Sequence, residues 1–129
     1  MRNFVLFIAI IFSANISFGQ FIEHGDRFVE FIVPQINSVK KKNAVDEYMR
    51  KVEGVKMSRM DLNTGRYYAI LDIKAVHLDQ AWFIDRFAEK GMKIFCFYSG
   101  IYGKDAFQDI TRMNCQEIPE DMKIVNKGK

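Results

Sequence analysis

The sequence is short of the residues from which most catalytic and metal sites are built. It holds two cysteines and two histidines. Cys96 and Cys115 stand nineteen positions apart, so they form no tight CxxC redox or metal pair. No serine or cysteine lies in a recognisable nucleophile motif. Asp79 and Asp85 are six apart on an expected helix, off the spacing that puts two carboxylates on one face. An enzyme is therefore not the expectation. Arginine-rich tracts, acidic tails, internal repeats and low-complexity linkers are also missing. A formal charge of +3 is too weak to imply a nucleic-acid partner.

What is present begins with a leader-like segment. Met1-Arg2-Asn3 is a short positive start, Phe4 to Phe12 is an unbroken apolar run, and Ser17 and Gly19 stand at small-residue positions before Gln20. That is the three-part layout of a secretory signal peptide over residues 1–19. The run is shorter than the roughly 20 residues that span a bilayer, and no later run is long enough to anchor the chain. The alternative for Phe4 to Phe12 is a buried first strand or core helix. Removal of the leader would leave one domain of about 110 residues, with a formal charge of +2 because Arg2 goes with it. The expectation is a periplasmic or secreted protein without stable membrane insertion. In such an oxidising compartment Cys96 and Cys115 could form a disulfide pinning the tail to the last strand, or remain separate buried thiols.

The periodicity divides the rest. Arg27 to Val33 alternates as a strand closed by Pro34. Asn37 or Ser38 can cap a helix whose core stripe is Val45, Tyr48, Met49 and Val52, and Gly54 stops it. Val55 to Leu62 and Tyr67 to Ile73 read as a hairpin about the turn at Asp61 to Arg66. A second helix covers Leu78 to Lys90, with Gly91 as its stop, and a fourth strand runs from Met92 to Tyr98. The order β-α-β-β-α-β predicts an α+β fold, a ferredoxin-like sandwich of four antiparallel strands with two helices on one face. Residues 20–100 would form that domain. Residues 101–129 would be a partly helical C-terminal extension, with a short helix at Lys104 to Met113 packing Phe107 and Ile110 down.

Candidate sites are few. Phe28, Phe31, Tyr67, Tyr68, Phe95 and Phe97 are the strand aromatics on which an RNA-binding sheet of this topology would stack bases. Alternate strand residues must be buried in any case, and Phe95 and Phe97 are expected on one face opposite Met92, Ile94, Cys96 and Tyr98. The open face is thus expected to be apolar, which suggests a protein partner, a second copy or cover from the tail over nucleic acid. His24 and His77 could hold a metal or act as bases. For His77 the expected role is an exposed histidine or one that closes the start of the second helix. Met49, Met57, Met60, Met92, Met113 and Met122 could bind Cu(I), but they are scattered over several elements, as gap-filling core residues are. Ser38, Lys40, Lys41 and Lys42 open the first helix, where cations oppose the dipole. Lys42 can pair with Asp46. Lys40 and Lys41 stay available, with backbone N–H groups, for an anion or an acidic partner surface; the alternative is plain solvated surface.

The segments RKVEGV (Arg50 to Val55), MDLNTGRYYAIL (Met60 to Leu71) and LDQAWFIDRFAEKGMKI (Leu78 to Ile94) resemble the heavy-metal-associated domain, the small module of copper chaperones and metal-transport ATPases. In that family a loop after the first strand carries GMxCxxC and two thiolates hold a soft metal. Those thiolate positions fall here on Ser38 and Lys41, and the methionine near Ile36, within PQINSVKK. The resemblance therefore implies the shape without the cysteine site, since neither serine nor a charged lysine replaces a thiolate for Cu(I) or Zn(II). The expected function is an exported, non-enzymatic interaction module with no cofactor. The alternative is a copper- or zinc-binding protein using His24, His77, methionines or a reduced cysteine.

Overall fold

A computed structural model describes residues 22–123. The expected leader, residues 1–19, and the end of the run Met122 to Val125 lie outside the described residues. The elements are β1 (Arg27–Ile32), α1 (Val39–Arg50), β2 (Val55–Met60), β3 (Arg66–Leu71), α2 (Gln80–Ala88), β4 (Phe95–Ile101) and the short α3 (Glu120–Lys123). The strands form one antiparallel sheet in the order β2-β3-β1-β4. This is an α+β fold, and it has a third helix beyond the two expected.

Local chemistry sets the boundaries. Ser38 is extended and its Oγ accepts the Lys41 N–H at 3.2 Å, capping α1. Asp79, not His77, closes the start of α2, accepting the Trp82 N–H at 2.9 Å. The hairpin closes where Asp61 N–H donates to the Arg66 carbonyl and Gly65 N–H to the Asp61 carbonyl, both at 2.9 Å. Gly65 has φ +76°, and a Cβ there would meet the Arg112 guanidinium at 2.9 Å, so conformation and space both call for glycine.

One face of the sheet carries Val29, Phe31, Tyr67, Ala69 and Leu71, and both α1 (Val45, Met49) and α2 (Phe83, Phe87) pack on it. The opposite face carries Phe28, Glu30 and Ile32, and the chain's own tail covers it. Phe107 stands edge-on to Phe28 and Tyr68, with ring centroids 4.7 and 5.0 Å apart. Ile32 packs with Cys115 and Ile118. Gly100 permits this arrangement, because the Phe28 ring lies 2.6 Å from where its Cβ would be. Of the covers considered for the apolar face, the tail is the one that the structure contains.

Two expectations about this region are corrected. Lys104 to Met113 is not a helix: the segment is turn and irregular chain. Its N–H groups leave for β1 and the hairpin turn, Gln108 donating to Glu30 Oε2 at 2.8 Å and Arg112 to the Thr64 carbonyl at 2.8 Å, so no helical ladder forms. Met113 is exposed. The fourth strand begins at Phe95 rather than Met92, and Phe95 and Phe97 do not share a face. Phe97 stacks on Phe31 in the helix-covered core, whereas Phe95 joins the tail-side cluster. The cause is a bulge. Glu30 pairs with Tyr98 but Ile32 with Phe95, and Cys96 between them has φ +55°.

Candidate functional site

Cys96 and Cys115 are joined by a disulfide with Cα atoms 6.2 Å apart. It fastens the returning tail to the bulge in β4. No free thiol remains among the described residues, so cysteine drops out of the alternative ligand set. His24 packs edge-on against Tyr102, with ring centroids 5.8 Å apart, and His77 is exposed. Met49 and Met60 are fully buried core residues, Met92 packs against that core, and Met113 is on the surface. No group of three or more His, Cys, Asp or Glu side chains converges as a metal site among the described residues.

The lysines at the start of α1 separate into different roles. Lys42 Nζ lies 3.0 Å from Asp46 Oδ2, and Asp46 is only 2% exposed. The other Asp46 oxygen accepts the Met60 N–H at 2.9 Å and lies 3.4 Å from Ser58 Oγ, which itself bonds Tyr67 Oη at 2.8 Å. Lys42 thus belongs to a network docking α1 onto the edge strand β2. The expected pairing with Asp46 is there, but its burial was not legible from i, i+4 spacing on a charged helix. Lys40 and Lys41 are exposed and make no ion pair among the described residues. Ser38 Oγ is already engaged as the cap, which leaves the two lysines as the reactive part of the predicted cluster.

Two concavities flank α1. The first, about 440 Å³, is floored by Ile36, Val45 and Met92 and rimmed by Lys41 and Lys90. Lys90 Nζ sits 4.3 Å from the centre of the Tyr48 ring. The second, about 540 Å³, lies between the β2–β3 hairpin and the tail, with Arg59, Arg66, Tyr68 and Phe107 in its wall. Both volumes are in the range of small-molecule and side-chain pockets.

Sequence reasoning missed the charges under the tail. Glu30 is 0% exposed at the centre of the sheet. Arg66 Nη2 lies 2.7 Å from Glu30 Oε1, an ion pair that is not aligned as a hydrogen bond. Arg112 is buried beside the hairpin, its guanidinium 3.4 Å from the Leu62 and Asn63 carbonyls, and burial lowers its basicity. Burial also raises the Tyr68 phenol, with Tyr102 and Glu30 adding to it, to about 12, so it stays a neutral donor at physiological pH. The only sequence signal for Glu30 and Arg66 was their alternation with apolar residues, which reads as an exposed strand face. No helix of the described residues is long and apolar enough to cross a membrane.

No protein-family model matches this chain, and no curated protein or solved structure matches it.

Proposed function

We propose that this chain is an exported, non-enzymatic interaction module of ferredoxin-like, heavy-metal-associated-like shape that engages an acidic protein surface through the first turn of α1. The strand order β2-β3-β1-β4 with both long helices on one face supports the shape. The Cys96–Cys115 disulfide supports an oxidising compartment, periplasmic or extracellular. The tail occupies the aromatic sheet face, which moves the contact away from that face. The observation that carries the reading is the position of Lys40 and Lys41. They are exposed and unpaired among the described residues, and Lys41 joins Lys90 at the rim of an apolar depression. Cations around an apolar floor suit an acidic partner that inserts a hydrophobic side chain.

The test is capture from the exported fraction by the wild-type protein and by the Lys40→Glu, Lys41→Glu double variant. Both lysines are exposed, so stability should change by no more than about 0.5 kcal/mol. The wild type should retain an acidic protein that the variant releases. Equal retention by both proteins would remove the first turn of α1 as the contact. A dimer seen by native mass spectrometry, with no other protein retained, would make the partner a second copy.

A further inference from the structure

The second concavity has a chemistry that an interaction surface does not need. Arg59 and Tyr68 are cross-strand partners in β2 and β3, and Tyr68 pairs in turn with Glu30. Arg66 lies two residues from Tyr68 on the same face, with its guanidinium carbon 5.9 Å from the centre of the Tyr68 ring. The floor is thus guanidinium, phenol, guanidinium. The tail supplies the opposing wall through Phe107, Ile110 and Thr111, and Met57 supplies an apolar side.

The charges in this wall are unequally engaged. Lys42 is held by buried Asp46 and Arg66 by buried Glu30. The Arg59 side chain has neither an ion pair nor a hydrogen bond among the described residues, though it lines the cavity. Asp61 and Asp109 also face this space. With Lys42 and Arg66 neutralised by Asp46 and Glu30, Arg59 is the cation of this wall left without an ion pair among the described residues. One unpaired guanidinium suits a single negative charge, and a dianion is opposed because its second charge would face Asp61 and Asp109.

We propose that this cavity binds a small monocarboxylate with an apolar or aromatic body. Arg59 presents the planar fork that matches a carboxylate, and the Tyr68 hydroxyl adds a neutral donor beside it. The apolar body lies against Met57, Phe107 and Ile110. The tail is then more than a cover for the sheet, because it completes one wall of a binding site. This inference goes beyond the protein–protein reading and rests on residues apart from Lys40 and Lys41.

The experiment is a ¹H–¹⁵N correlation NMR titration of the labelled protein with phenylacetate. Methyl phenylacetate, benzylamine and inorganic phosphate serve as comparison probes. Phenylacetate should give saturable shifts at the amides of Arg59, Tyr68 and Thr111, and the three other probes should not. Arg59→Ala should weaken phenylacetate by about 10-fold or more, with Arg59→Lys in between, as expected for loss of a charge-assisted bidentate contact. Lys40→Glu with Lys41→Glu should leave the titration unchanged, which separates this site from the proposed partner contact. Non-saturating shifts would overturn the proposal. So would equal shifts with the ester or phosphate, an unaltered affinity in Arg59→Ala, or shifts confined to α1.

Discussion

The two faces of this sheet are covered in different ways. On the helix side Phe31 is fully buried among rings: Tyr67 stacks on it with centroids 4.9 Å apart, Phe97 at 5.9 Å, and Phe87 meets it edge-on at 5.1 Å. The Tyr67 hydroxyl, the polar atom in this group, is bonded to Ser58. On the tail side Phe28 and Ile32 share the face with buried Glu30, the Arg66 ion pair, Arg112 and a disulfide. A helix satisfies its own backbone and can cover a sheet with apolar area alone. An irregular segment cannot. Its N–H groups need acceptors from beneath, and Glu30 and the hairpin carbonyls supply them. The helix side therefore depends on area and packing, and the tail side on a few directed links.

The largest effect expected from this difference is at Phe31. Phe31→Ala should destabilise the protein by about 3–5 kcal/mol, because it removes a large buried ring and leaves a cavity that the stacked aromatics cannot fill without shifting. Phe107→Ala, at a ring 46% exposed on the tail, should cost about 1 kcal/mol. Urea denaturation followed by circular dichroism measures both. Equal losses would mean that the tail face is as tightly packed as the helix face, and the comparison would break.

Opening the disulfide comes next. The loop it closes spans a sequence separation of 19, for which chain entropy gives a loss of about 3 kcal/mol. The variant Cys96→Ser, Cys115→Ser should lose amide protection first at Gln108, Arg112 and Cys115, while Phe31 and Tyr67 keep theirs. Hydrogen exchange resolves the two groups. Simultaneous loss everywhere would show one cooperative unit rather than a core with a fastened tail.

The same contrast explains what could be read from the sequence. On the helix side the rules were local. Alternation gave β1 and the hairpin, Gly54 and Gly91 ended the helices, and the stripe through Val45 and Met49 marked the buried side of α1. Tyr48, assigned to that stripe, sits at its margin at 36% exposure. The tail side was set by distant partners. Phe107, Ile110 and Met113 have a helical spacing, yet the intervening N–H groups of Gln108 and Arg112 pair with Glu30 in β1 and Thr64 in the hairpin turn, 78 and 48 residues away in sequence. The phase of β4 was misread because Cys96 adopts a left-handed conformation at a bulge, and Cys96 is tied to Cys115. Glu30 alternates like a solvent-side residue and becomes buried only because the tail returns over it. Lys41 was legible as a candidate, but its place beside Lys90 required the fold.

A smaller effect than opening the disulfide is expected from a pH dependence at the root of the tail. Burial would raise the Asp26 carboxyl, but the Glu23 N–H at 2.8 Å and Lys56 at 2.9 Å outweigh it and hold the group below its ordinary 3.8. The hydrogen bond to Asp26 also raises Lys56 above its ordinary 10.5 against its own burial. The signs follow from linkage. Asp26 contributes stability that is fully present above about 3.8 and is lost as pH falls through its lowered folded value. Lys56 contributes stability that is present below 10.5 and is lost as pH rises through its raised one. The backbone beside Asp26 holds Tyr102, whose N–H donates to the Asp26 carbonyl at 2.7 Å and whose carbonyl accepts the Gly25 N–H at 2.9 Å. Acid should therefore loosen the amides of Gly25 and Tyr102 before those of Phe31 or Ala69. Asp26→Asn should cost about 1–2 kcal/mol at neutral pH and flatten the acid limb. Stability measured against pH for the wild type and Asp26→Asn decides the matter: an unchanged acid limb in the variant would place the acid-sensitive group elsewhere in the molecule.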